Sequence, residues 1–269
     1  MMDDTTRIIR DYYDAGVETE WNRVAGRPEF LLTCRFLNRY IKPRQTILDI
    51  GGGPGRYSLY LAEQGCDVAL LDLSSENVRF AGARAAERGL SVKTIVGDAR
   101  ETDKLIGGQF DHVLLMGPLY HLLEEADRVK AVESSLRLLK PGGILFASFI
   151  SAFAGAVYMM KNAPDLLAST PMEIELMNLL IEDKPFAGAG FTECNFERHQ
   201  DILPFFEQFP LTKLHFLSQE GILSPCEQNI MSQPETVIRR WLNFAEQTCE
   251  REDLLSWSEH LMYIGQKTG

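Results

Sequence analysis

Four glycines fall within five residues in Asp49-Ile50-Gly51-Gly52-Gly53-Pro54-Gly55-Arg56. A turn of that kind, between a strand and a helix, lets backbone approach a ligand closely and presents amide donors to it. The spacing Gly51, Gly53, Gly55 is G-x-G-x-G. The dinucleotide fingerprint G-x-G-x-x-G would need its third glycine where Arg56 stands. Asp49, two residues ahead of Gly51, can accept bonds from loop amides or meet a cationic ligand, and it would repel a pyrophosphate. Asp72 closes Ala69-Leu70-Leu71-Asp72, just before Leu73, where an acid can take both hydroxyls of a ribose. Asp98, in Val96-Gly97-Asp98-Ala99-Arg100, can bond an adenine amino group while Ala99 leaves room for the ring. Singly, each acid also reads as a helix cap or a loop acid. At the ends of three consecutive strands, in the crevice where such sheets bind ligands, they read as one site.

Tyr120 and His121 follow the fourth strand, at the edge where a second substrate would lie. His121 can take a proton from a hydroxyl or an ammonium, since its free pKa lies near neutrality; plain helix packing is the competing reading. Tyr12, Tyr13 and Trp21 can form an aromatic lid suited to a cation, or an ordinary amphipathic face. Arg56 either orients an acidic group or pairs with a surface acid, and His199 reads as a cap. The five cysteines are scattered without a C-x-x-C pair, and no two histidines stand at i, i+3 or i+4, so neither a disulfide framework nor a metal site is expected.

Strand–helix alternation positions these residues. A helix is expected over Ile8 to Trp21. Pro28 opens a second, with Leu31, Cys34, Leu37 and Ile41 on one face. Strands are expected at Thr46–Ile50, Cys66–Leu73, Val92–Val96, Phe110–Met116 and Ile144–Ile150. Helices fall between them, one over Tyr57–Gln64 and another capped by Ser75 and stopped at Gly89. Continuous apolar runs such as Val-Ala-Leu-Leu require cover on both faces, so a doubly wound, mostly parallel sheet follows. Ile144 to Met160 runs 17 residues without a charge, and reads as a buried strand followed by an apolar helix rather than a membrane span. After Ile150 the rhythm breaks into a methionine- and proline-rich stretch, and strand character returns at Leu211–Leu217 and Leu261–Lys267.

Asp49-x-Gly51-x-Gly53-x-Gly55, Asp72, Gly97-Asp98-Ala99, Phe110-Asp111 and Leu138-Leu139-Lys140-Pro141-Gly142-Gly143 resemble, in order and spacing, the motifs of class I S-adenosylmethionine-dependent methyltransferases. Met116-Gly117-Pro118-Leu119-Tyr120-His121-Leu122 is similar to a signature of the small-molecule, bacterial-type branch. The resemblance implies a Rossmann-like, seven-stranded sheet with helices on both faces and an antiparallel last strand. It implies a bound S-adenosylmethionine, converted to S-adenosylhomocysteine, with the glycine loop on its methionine part. Asp72 would take the ribose, Asp98 and Ala99 the adenine, and Met116 the far wall. The expected organisation is an N-terminal helical lid (1–45), a cofactor-binding core (46–150), an insertion over the substrate site (151–210) and a C-terminal completion of the sheet (211–269).

Methyl transfer to a small molecule is the leading expectation. A nicotinamide-dependent oxidoreductase and a non-catalytic S-adenosylmethionine-binding sensor are the alternatives. The formal net charge of −11, from 27 basic and 38 acidic residues, argues against nucleic-acid or anionic-lipid partners. Met1 to Arg10 is polar, without an apolar leader core, and cysteine usage fits a reducing cytoplasm. Neither the acceptor nor the oligomeric state is legible.

Overall fold

The structure, a computed structural model, describes residues 3–23, 25–169 and 171–269. Three helices come first: α1 (Asp4–Ala15), α2 (Val17–Arg23) and α3 (Pro28–Tyr40). The single N-terminal helix expected from the sequence is two, because Gly16 caps α1 and its amide bonds back to the Tyr13 carbonyl. The alternating segment follows: β1 (Thr46–Ile50), α4 (Arg56–Glu63), β2 (Asp67–Asp72), α5 (Ser75–Glu87) and β3 (Val92–Val96). After the short α6 (Thr102–Leu105) come β4 (Phe110–Leu115), α7 (Glu125–Leu138) and β5 (Leu139–Ser151). The cap of α5 is Ser74 rather than Ser75, its side chain accepting from the Asn77 amide.

Among the described residues nine strands form one sheet, where the sequence suggested seven. Strands β1 to β5 are parallel in the order β3-β2-β1-β4-β5, the doubly wound arrangement. The extra pair is a hairpin of β6 (Phe186–Ala189) and β7 (Glu193–Glu197), and β7 pairs with the last two residues of β5. Its turn residues and short length conceal it in a stretch that otherwise reads as helix and loop. That stretch also holds α8 (Ala154–Asn162), α9 (Leu166–Ser169), α10 (Pro171–Ile181) and α11 (His199–Phe206), so His199 opens α11 rather than preceding it. Last come β8 (Leu211–Ser218), α12 (Glu227–Met231), α13 (Glu235–Thr248) and β9 (His260–Lys267). Strand β9 runs antiparallel between β5 and β8.

Two apolar layers sandwich the sheet. Leu48, Ile50, Leu115, Val132 and Phe149 lie in one, and Phe36, Ile47, Leu114, Phe146 and Ile264 in the other. Strand alternation produces this division, since neighbouring residues point to opposite faces. A smaller cluster of Leu176, Cys194 and Phe196 packs the 151–210 segment onto Ile150 and Tyr120. No helix among the described residues is long and apolar enough to cross a membrane. Cys34, Cys66, Cys194 and Cys249 are buried thiols, and Cys226 is exposed.

Candidate active site

A cavity of about 330 Å³ opens at the carboxyl ends of β1, β2, β3 and β4, roofed by α1 and α2. Of the residues singled out in the sequence, Asp49, Gly51, Gly53, Asp72, Leu73, Asp98, Ala99, Met116, Tyr13, Tyr120, His121 and Arg56 line it, whereas Gly55, Tyr12, Trp21 and His199 do not. Gly55 has φ 89° and turns the chain into α4, where a Cβ would lie 2.9 Å from Ala81 Cβ. Gly51, with φ 71°, passes so near the loop after β4 that a Cβ there would meet Pro118 Cδ at 2.4 Å. The glycine loop is thus wedged between two neighbours.

The carboxylates differ in how they are held. Asp72 Oδ2 accepts from the Gly53 amide at 2.8 Å, and Oδ1 from the Ser74 amide at 2.9 Å and Asn77 Nδ2 at 3.3 Å. The acid at the end of β2 therefore organises the glycine loop, a task the sequence left open for Asp49. Asp49 is 1% exposed and accepts one bond of 2.7 Å from Ser58 Oγ. Burial pushes its pKa up to about 7, against the Ser58 bond and with the charge of Asp72 adding to the rise. Burial also raises Asp72, against its amide bonds. Asp98 faces Arg100, whose Nη2 reaches Oδ2 at 2.6 Å and whose Nη1 reaches Asp127 at 2.7 Å. Leu73, Ala99 and Met116 supply apolar wall between these acids.

Tyr13 and His121 meet across the cavity, Tyr13 Oη standing 2.7 Å from Nε2. His121 Nδ1 lies 2.9 Å from the Glu193 carbonyl, which can only accept. Nδ1 therefore carries the hydrogen, and Nε2 accepts from the Tyr13 hydroxyl. Burial pushes the His121 pKa down to about 4, so the ring is neutral at physiological pH. Tyr120 lines the same cavity. Its hydroxyl donates to the Met116 carbonyl at 3.3 Å, while its ring sits in the cluster that anchors the 151–210 segment. Tyr12 packs at the rim against Tyr13 and Phe191. Trp21 lies off the cavity beneath Arg56, which stacks 3.5 Å from its ring centroid and donates to its carbonyl. Among the described residues Arg56 therefore has no surface acid as partner, and it lines the cavity.

The sequence reading missed the charged groups contributed by α2 and α3. Glu20 and Arg23 line the cavity, and Arg23 Nε reaches the two Glu20 oxygens at 3.1 and 3.0 Å. Arg23 Nη1 also bonds Glu29 Oε2 at 2.8 Å. Behind Glu29, His260 Nδ1 lies 2.6 Å from Glu220 Oε1, and these carboxylates hold the imidazole up to about 9 against the penalty of burial. The i, i+3 spacing of Glu20 and Arg23 is visible in the sequence, but it looks like any solvated helical pair.

The parallel sheet, with an acid-lined cavity at its switch point, defines a Rossmann-like α/β fold, in which that crevice is the usual place for a ligand. Residues 47–143 match the family described as a methyltransferase domain. The chain is 34% identical over 127 residues to a ubiquinone biosynthesis O-methyltransferase of Caulobacter vibrioides, covering 44% of this chain and 49% of that one. It is 33% identical over 128 residues to a glycine/sarcosine N-methyltransferase of Parasynechococcus marenigrum, covering 47% and 44%. The chain thus spans about half the length of these curated relatives. Among solved structures it resembles the 1,6-didemethyltoxoflavin-N1-methyltransferase of Burkholderia thailandensis, with a TM-score of 0.60 at 15% identity over 98% of this chain and 88% of that one. The likeness is one of fold.

Proposed function

We propose that this protein transfers the methyl group of S-adenosylmethionine to a small-molecule acceptor, releasing S-adenosylhomocysteine. The observation that carries the reading is Asp72. It ends β2, buttresses the glycine loop through the Gly53 amide and fronts the same cavity as Asp49 and Asp98. The donor set suits a cation with a ribose: eight carboxylate side chains and three guanidiniums line the cavity. The same surplus of negative charge disfavours the diphosphate of a nicotinamide dinucleotide.

In this reading Asp72 and Leu73 hold the ribose, and Asp98 and Ala99 hold the adenine. Gly51 and Gly53 hold the methionine part with Asp49 beneath it, and Gly55 sets the turn. Met116 backs the cavity, and Tyr13 covers it from α1. The bound group supplies a methyl already activated on a sulfonium, so the protein's work is to orient the acceptor and exclude water. For a hydroxyl acceptor, His121 Nε2 is the proton acceptor, reached by displacing the Tyr13 hydroxyl. Tyr120 fixes the acceptor wall. Residues 1–45 serve as lid, 46–150 as the cofactor core, 151–210 as cover on the acceptor side, and 211–269 complete the sheet. Five free thiols support a reducing, cytoplasmic setting, and the acidic balance supports a partner other than nucleic acid.

Calorimetric titration with S-adenosylhomocysteine, beside NAD and NADP, tests this. Binding of the first alone is expected, with Asp72→Ala weakening it about tenfold or more, the scale of a lost charge-assisted hydrogen bond. Circular dichroism should be unchanged. Dinucleotide binding, or an Asp72→Ala variant with full affinity, overturns the assignment.

A further inference from the structure

Glu20 has no role in the motifs that define the domain, yet it lines the cavity from α2. Its negative charge bears on Tyr13, Tyr120, His121 and Asp72, which line the same cavity. Among the described residues its carboxylate is held by Arg23 alone, and Arg23 is shared with Glu29. One guanidinium cannot balance two carboxylates. Among the described residues the other cations bearing on that group are each shared with a further carboxylate: His260 meets Glu220 at 2.6 Å and Glu29 at 3.9 Å, and Arg27 meets Glu227 at 3.4 Å. The side of the cavity facing Tyr13, Tyr57 and Tyr120 therefore keeps a surplus negative charge between aromatic rings, a pairing that favours an organic cation.

We propose that Glu20, backed by Glu29 and flanked by Tyr13, Tyr57 and Tyr120, forms an acceptor subsite for a protonated amine, so that the methyl acceptor is an amine nitrogen. This rests on the methyltransferase reading above and deepens it. The ammonium docks on the Glu20 carboxylate and gives one proton to it. The freed nitrogen lone pair then forms the new C–N bond as the C–S bond breaks, its electron pair passing to sulfur. The product leaves as the methylated ammonium with S-adenosylhomocysteine, and Glu20 returns its proton to water. The chemistry also fits the state of His121. Its ring is a weak base with Nε2 already taken by Tyr13, an unfavourable arrangement for ionising a hydroxyl.

A protonated amine could come from the acceptor or from the methionyl ammonium of the cofactor, and the test separates them. The full chain, loaded with S-adenosylhomocysteine at pH 7.5, is titrated with benzylamine and 2-phenylethylamine and with the matching alcohols. The expected result is about tenfold tighter binding of each amine than of its alcohol. In Glu20→Gln that preference should disappear while affinity for S-adenosylhomocysteine stays within about twofold. Equal binding of amines and alcohols, or binding of neither, overturns the inference while leaving the methyltransferase reading intact. An equal loss of S-adenosylhomocysteine affinity in Glu20→Gln assigns the carboxylate to the cofactor's ammonium and also overturns it. Failure of the wild type to bind S-adenosylhomocysteine at all is failure of the broader reading. The amine–alcohol comparison in the wild type needs no variant and stands even if Glu20→Gln folds poorly.

Discussion

Asp49 and Asp72 are both buried carboxylates, but their hydrogen bonds separate them. Asp72 receives two backbone amides and Asn77, whereas Asp49 is met by Ser58 alone, through its hydroxyl and its amide. With its pKa pushed up to about 7 by burial, Asp49 holds its proton in the fold over a range where an unfolded chain has lost it. Its protonated form thus stabilises the fold at low pH, and that contribution is lost as pH rises from the ordinary carboxylate range through about 7. A sulfonium above the loop favours the ionised form, and a neutral thioether does not. The affinity ratio of S-adenosylmethionine to S-adenosylhomocysteine should therefore rise roughly three- to tenfold between pH 6 and pH 8. Asp49→Asn should flatten that dependence. Calorimetry at both pH values decides it, and a flat ratio in the wild type would remove Asp49 from the sulfonium's surroundings.

At the scale of elements, α1 is held only lightly by burial. Of its 12 residues only Thr6 and Ile9 are buried, and an isolated helix of that length is marginal in water. Polar ties fasten it instead. Asp14 Oδ1 accepts from Ser74 Oγ at 2.5 Å and from the Glu76 amide at 3.2 Å, Arg100 Nη2 reaches Thr6 Oγ1 at 3.0 Å, and Tyr13 bonds His121. Asp14→Ala should cost about 1 kcal/mol at the α1–α5 junction. Amide exchange in 4–15 should then quicken several-fold with β1 and β4 unchanged, as mass spectrometry would show. Uniform quickening throughout the chain would mean that α1 is an integral part of the cooperative fold rather than a cover on it.

For the molecule as a whole, the parallel core was legible because continuous apolar strands, glycine turns and helix caps all specify it locally. The β6–β7 hairpin was not, since its register depends on β5 catching β7 at Ile150 and Ser151. The N-terminal break was hidden in one residue, Gly16. Glu20, Arg23 and Glu29 were illegible as a group because what gives them meaning is distant in the chain: Glu29 is read through His260, and Glu20 through Tyr120 and His121. Strand ends announce a site locally, whereas a wall assembled from separate helices does not.

The distribution of thiols has a practical consequence. Burial drives the thiols of Cys34 and Cys66 upward and lifts Cys194 to about 11 and Cys249 to about 12, so these four are shielded both from reagents and from ionisation. Cys226 alone is exposed. A maleimide should add once to the native protein and five times in denaturant, as intact mass would count, since the sequence holds five cysteines. The wild-type chain therefore carries a ready attachment point for a fluorophore, and loss of the one-adduct species on heating would report unfolding without any introduced residue.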